Sequence, residues 1–238
     1  MELRGVLLCG GLGTRLGPST EVANKHLLPV YDRPMLFYPL EMLARLGVLD
    51  VLVVVGGNSI GELVALVGDG KRFGLSVNYA VQSAPGGIAH ALRIAERFAD
   101  GENVLVALGD NLFGPGEVDV SGFASGGRVY LKPVPDPERF GVPRFEDGRL
   151  VDIVEKPANP PCDMAVTGLY LYDGSVFERA ARLVPSGRGE LEITDVNNSY
   201  IRDGAMDFRM LSGWWCDAGT PESLYRAATL VRKDRESV

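Results

Sequence analysis

The segment Gly10-Gly11-Leu12-Gly13-Thr14-Arg15-Leu16 follows an apolar run, Gly5-Val6-Leu7-Leu8-Cys9, and precedes Lys25. A buried strand that opens into glycines lets the backbone come close to a phosphate, because no Cβ intervenes. Arg15 and Lys25 add positive charge where a polyphosphate could lie. Neither common nucleotide loop fits. A P-loop requires Gly-x4-Gly-Lys-Ser/Thr, which is absent, and the dinucleotide fingerprint requires glycine where Leu16 stands. By spacing alone, the segment is either a phosphate cradle or a tight strand-to-helix turn.

Two aspartates lie in similar settings, Leu108-Gly109-Asp110-Asn111 and Trp215-Cys216-Asp217-Ala218-Gly219. Carboxylates from distant segments can share one Mg2+, which keeps several waters and bridges to substrate phosphates. Either one alone is more often a loop cap. Gln82, at the end of another apolar stretch, carries a donor and an acceptor side by side, which matches a pyrimidine imide edge. The alternative is a polar turn that also includes Gly87. Glu155-Lys156 is a charged pair at a strand end, a position usually solvated. His26 and His90 are the two histidines, which leaves few candidates for histidine chemistry.

These groups need a scaffold. Residues 4–9, 51–55, 76–81 and 104–108 are continuously apolar or nearly so, as buried parallel strands are. Helical patterns separate them: from Pro34 in a first turn to Leu46, from a cap at Asn58 or Ser59 to Val67, and from Ile88 to Phe98. The alternation implies an α/β fold, a Rossmann-like doubly wound sheet that is mostly parallel or mixed. Ligands on such sheets bind at the carboxyl ends of the strands, where the glycine loop, Gln82 and Asp110 all fall. The second half reads as a β-rich insertion. Residues 142–145 and 150–154 flank an Asp147-Gly148 hairpin turn, and 165–172 and 206–211 are further strands. Helices are expected over 175–183, 193–202 and 222–233. A single domain spans 1–238, with a first half to about 135 and a second half from about 136, packed as one body.

The chain has 238 residues, net charge −7 and 46% hydrophobic residues. Its acidity disfavours nucleic-acid partners, so an anionic substrate must be met by local Arg and Lys. Cys9, Cys162 and Cys216 show neither metal-ligand spacing nor a disulfide framework. No signal peptide or membrane span is evident, so a cytoplasmic protein without membrane partners is expected.

Taken in order, the glycine loop, Lys25-His26-Leu27-Leu28-Pro29, Gly109-Asp110-Asn111, Glu155-Lys156-Pro157, Val166-Thr167-Gly168 and Gly189-Glu190-Leu191-Glu192 resemble the sugar-phosphate nucleotidylyltransferases. The similarity is greatest to the glucose-1-phosphate thymidylyltransferases and runs from residue 4 to about 230. It implies Mg2+-dependent transfer from dTTP to glucose 1-phosphate, giving dTDP-glucose and pyrophosphate. It also implies that the half to about 135 binds the nucleotide and the half from about 136 the sugar, and it implies site residues. Gly10, Gly11, Gly13, Thr14, Arg15, Gln82, Gly87 and Asp110 would hold the nucleotide, and Asp110 and Asp217 the metal. Asn111, Gly141, Glu155, Lys156, Val166, Arg188 and Glu190 would hold the sugar phosphate. Arg15, Lys25 and Lys156 would act in catalysis. A homo-oligomer is expected.

Alternatives are a UTP-preferring or other-sugar nucleotidylyltransferase, or a non-catalytic nucleotide-sugar sensor. Departures from the family pattern fall at His26 (often Gln), Gly86 (often Asp), Phe140 (often Tyr), Cys216 and Ala218. The chain reads as a short form without the C-terminal extension of longer members, so feedback through the regulatory site built there is expected to be weak or absent.

Overall fold

A computed structural model describes residues 3–11, 13–57, 60–116 and 118–236. In chain order the first half contains β1 (Leu3–Cys9), α1 (Ser19–Val22), β2 (Pro29–Val30), β3 (Arg33–Pro34), α2 (Phe37–Arg45), β4 (Asp50–Gly56), α3 (Ile60–Val67), β5 (Ser76–Gln82), α4 (Ile88–Ile94), α5 (Glu96–Ala99), β6 (Asn103–Leu108), β7 (Asn111–Phe113) and β8 (Gly127–Pro133). The second half contains β9 (Gly141–Glu146), β10 (Arg149–Glu155), β11 (Met164–Tyr172), α6 (Val176–Ala181), α7 (Ile193–Arg202), β12 (Met206–Met210), β13 (Trp215–Asp217) and α8 (Pro221–Glu236).

A seven-stranded sheet of order β12-β8-β11-β6-β1-β4-β5 forms the frame, and it draws strands from both halves. β11 runs antiparallel to β6 and β8; the other neighbours are parallel. Alternate residues of the central strands feed two cores. Val6 and Leu8 pack with Leu92, Phe177 and Val196 on one face. Leu7 and Cys9 pack with Leu40, Leu43 and Leu63 on the other. Burial on both faces is why β1, β4 and β6 read as unbroken apolar runs. A third cluster seats α8 against β13 through Cys216, Ala227 and Val231. Among the described residues no helix is long and apolar enough to cross a membrane.

Three local expectations change. Pro34 does not open a helix: Pro29–Val30 and Arg33–Pro34 form a short antiparallel ribbon turned at Tyr31, whose φ is 59°. The Met35 N–H bonds back to the Leu28 carbonyl, so α2 starts only at Phe37. The helix expected over 88–98 breaks at Ala95 into α4 and α5. The strand over 127–133 was not anticipated; it contains Gly127, Arg128 and Lys132, which interrupt its apolar pattern. Asn58 and Ser59, the expected caps of α3, lie outside the described residues. The Asp147-Gly148 turn has φ 49° and 75°, the left-handed pair that a two-residue hairpin requires.

Candidate active site

The carboxyl ends of β1, β5 and β6 bring the first group together. Gly10 leaves β1 directly beside Gln82: a Cβ there would stand 2.4 Å from Gln82 Oε1. A Cβ on Gly11 would lie 3.0 Å from Lys25 Nζ. The loop glycines thus admit the two side chains as well as leaving the backbone open. Thr14 and Arg15 follow in a short 3-10 turn, with Gly13 ahead of it in the left-handed region.

Lys25 Nζ donates to Asp110 Oδ2 at 2.5 Å, an ion pair of which both members are nearly buried. Burial opposes ionisation of Asp110, but the Lys25 ammonium outweighs it and holds the carboxyl well below the usual carboxylate range. His26, fully buried next to this pair, takes its Nδ1 partner from Asn24 Oδ1 at 2.8 Å. Burial, reinforced by Lys25, pushes its imidazole down to about 3.

β13 pairs antiparallel with β7, so Asp217 sits opposite Asn111, and the Ala218 N–H bonds to the Asp110 carbonyl at 2.7 Å. Asp217 is pushed up to about 6 by burial, which outweighs Arg139, while the nearby Asp110 adds to the rise. Arg139 donates to Asp217 Oδ2 at 2.8 Å and to Asp136 at 2.5 Å. Sequence reading missed Arg139, whose only signal was a charged run, Asp136-Pro137-Glu138-Arg139, before Phe140. Phe140 in turn meets Trp215 edge-on at 5.2 Å.

Asp110 and Asp217 offer hard oxygen donors on two hydrogen-bonded strand ends, and their mutual repulsion is of the kind a divalent cation relieves. Among the described residues no cluster of three or more His, Cys, Asp or Glu side chains could hold a metal by itself. A cation here would therefore need waters or substrate oxygens to complete its shell, as Mg2+ ordinarily does.

The second group surrounds the β9–β10 hairpin. Arg188 binds Glu192 at 2.8 and 2.9 Å, and reaches Glu155 at 3.3 Å and Glu190 at 3.8 Å. Thr194 Oγ1 donates to Glu155 Oε2 at 2.5 Å, and Gly141 leaves room beside the same carboxylate. Lys156 has φ 44°, rare for a residue with a side chain, and its Nζ lies 3.4 Å from Glu155. Val166 lies in β11, next to the register shift in its pairing with β8. Glu192 stands at the N-cap of α7, but its carboxylate turns to Arg188 and Ser186 and makes no capping bond. Asn111 is a strut: its Oδ1 accepts from the Gly168 N–H and from Trp215 Nε1, and its Nδ2 donates to Asp110.

The two groups meet across a backbone seam. The Leu191 N–H bonds to the Gly86 carbonyl, and the Ala89 N–H bonds to the Leu191 carbonyl. Gly87, which opens α4 with φ 87°, lies against Glu190 and Leu191. The seam thus sets the strand-end cations, carboxylates and amide beside the Arg188–glutamate cluster.

The burial of His26 has a consequence for stability. Unfolded histidine gains a proton below about pH 6.5, whereas this one stays neutral until about pH 3. Stability is therefore full above the unfolded value and is lost as the pH falls towards 3, by about 1.4 kcal/mol per pH unit. We expect His26→Gln to flatten the urea-unfolding free energy between pH 6.5 and 4. Equal slopes in the two proteins would contradict this account.

The nucleotidyl transferase family model matches residues 4–234. A glucose-1-phosphate thymidylyltransferase of Neisseria meningitidis is 46% identical over 97% of this chain and 83% of its own length. A Bacillus anthracis crystal structure with sucrose, described as a glucose-1-phosphate thymidylyltransferase, superposes with TM-score 0.91 at 43% identity, over 97% of this chain and 95% of that one. A UDP-glucose pyrophosphorylase bound to UDP-glucose shares the fold, with TM-score 0.85 at 23% identity over 99% of this chain and all of that one. With the sheet order, the strand-end residues and these matches in agreement, the chain belongs to the nucleotidyl transferase family.

Proposed function

We propose that this protein transfers a thymidylyl group from dTTP to glucose 1-phosphate, releasing pyrophosphate and forming dTDP-glucose. The observation that carries the reading is the convergence of Lys25, Asp110, Asp217 and Gln82 at the carboxyl ends of β1, β5 and β6. The relatives' stated activity supports it.

A phosphate oxygen of the sugar attacks the α-phosphorus of the nucleotide in line. The new P–O bond forms as the bond to the bridging oxygen breaks, and pyrophosphate leaves with the electron pair. The nucleophile is already an anion, so no general base is needed, and catalysis rests on positioning and charge. Arg15 and Lys25 meet the triphosphate and offset charge on the departing pyrophosphate. The backbone of Gly10, Gly11, Gly13 and Thr14 admits the phosphates. Lys156 holds the sugar phosphate. Glu155, Glu190 and Arg188, with Gly141 and Val166, line the sugar side, and Asn111 keeps Asp110 in place. Gln82 and Gly87 read the base. Asp110 and Asp217 would hold Mg2+, which would supply positive charge to neutralise the phosphates.

The test is pyrophosphate release with glucose 1-phosphate and Mg2+, comparing dTTP, UTP, CTP, ATP and GTP. We expect the highest kcat/KM with dTTP. The lead over UTP should be modest, because one methyl group in a pocket contributes only about 1–3 kcal/mol. A clear preference for UTP or a purine nucleotide would move the base assignment. Binding without release, across several sugar phosphates, would replace the enzyme by a nucleotide-sugar sensor.

A further inference from the structure

We propose that His90 is a positioning residue that fixes which end of the Gln82 carboxamide faces the nucleobase, and thereby sets the choice among pyrimidines. The inference rests on the reading of Gln82 as the base contact. Gln82 is buried at the end of β5, 6% exposed. Its Nε2 lies 3.0 Å from His90 Nδ1 and 3.3 Å from the Gly87 carbonyl oxygen. A carboxamide nitrogen has two hydrogens, and these two acceptors use both. The lone pairs of Oε1 are what remain, and Oε1 lies on the side of Gly10, in the glycine loop. Turning the amide over would set Oε1 against the Gly87 carbonyl, two acceptors facing each other. His90 must accept through Nδ1, which places its proton on Nε2.

An outward acceptor has a definite chemical preference. It takes a hydrogen bond from the N3–H of thymine or uracil. Cytosine carries a lone pair at N3, so the same oxygen repels it. Discrimination of this kind is strong because a buried polar group is left unpaired with the wrong partner.

The imidazole reaches Gln82 because residue 86 has no side chain. A Cβ on Gly86 would stand 2.5 Å from His90 Nδ1 and 2.8 Å from its Cγ. Gly86 lies outside the left-handed region, so alanine meets no φ penalty; its Cβ would displace the imidazole and press, at 3.0 Å, on His90 Cβ. Gly86 and His90 therefore act as one device, and the second residue gives an independent way to disturb it.

The experiment measures kcat and KM for dTTP and dCTP with wild type, His90→Ala, Gly86→Ala, the double variant and His90→Gln. The ratio of two nucleotides on one sample does not depend on the fraction of folded protein. We expect His90→Ala and Gly86→Ala each to lower kcat/KM for dTTP about tenfold, chiefly through KM, and to lower the dTTP-to-dCTP ratio about tenfold. The double variant should lose little beyond His90→Ala, because Gly86→Ala acts chiefly through the imidazole. His90→Gln, whose Oε1 can accept from Gln82, should restore most of the ratio. An unchanged ratio in His90→Ala, or additive losses in the double variant, would overturn the role of His90 while leaving Gln82 as base contact. A wild type that does not prefer dTTP over dCTP would overturn both.

Discussion

Asp110→Asn is expected to reduce turnover by about 10³-fold or more while the protein still folds. The asparagine keeps the size of the side chain and an oxygen for Lys25, whose ammonium now lies 2.5 Å from Asp110 Oδ2. It removes the negative charge through which a divalent cation would be held between this residue and Asp217. Catalysis that depends on charge at phosphate oxygens should suffer most. The measurement is pyrophosphate release at saturating substrates, with a thermal melt on the same sample. A folded variant retaining more than a tenth of the wild-type rate would remove Asp110 from the metal-holding role.

Lys25→Met is expected to destabilise the protein by about 3–5 kcal/mol, in addition to losing activity. Lys25 and Asp110 are 11% and 13% exposed, so the carboxylate left behind is nearly dry. With Lys25 gone, burial is the leading influence on Asp110, and it raises the carboxyl above the unfolded value. A raised carboxyl stabilises below the unfolded value and loses that contribution as the pH rises. The deficit relative to wild type should therefore be larger at pH 8 than at pH 4. Lys25→Met combined with Asp110→Asn removes both charges and should recover most of the stability but none of the turnover. Denaturant unfolding of the three proteins at the two pH values decides the matter. If the double variant is as unstable as Lys25→Met, the loss comes from packing of the lysine stem and not from a stranded charge.

The pairs Lys25–Asp110 and Arg139–Asp217 share a design. Each candidate metal carboxylate is met by a cation from a different segment, 85 and 78 residues away in the chain. Arg139 also stacks over Phe140 at 5.0 Å, which ties the start of β9 to Asp217 through one guanidinium.

The sequence by itself determined the parallel strands. β1, β4 and β6 are apolar on both faces, and only a sheet covered by helices on both sides satisfies such runs. It also determined the Asp147-Gly148 turn, because few residue pairs accept two successive left-handed conformations. The glycine loop, Lys25, Asp110 and Asp217 were legible as residue types at strand ends. Their partners were not. Nothing in the local pattern places Arg139 on Asp217 or Trp215 on Asn111, since these contacts join segments 78 and 104 residues apart, and His90 meets Gln82 only because the turn through Gly86 and Gly87 folds α4 back onto the end of β5. Pro34 misled for a related reason. Its fixed φ suits a first helical turn and a short ribbon equally well, and the bond from Met35 to Leu28 chose the ribbon. Hydrophobic periodicity is a property of neighbouring residues, and it survives in the chain as written. The orientation of a buried amide and the ionisation of a paired carboxylate are set by contacts across a turn or between distant segments, and only the tertiary structure supplies them.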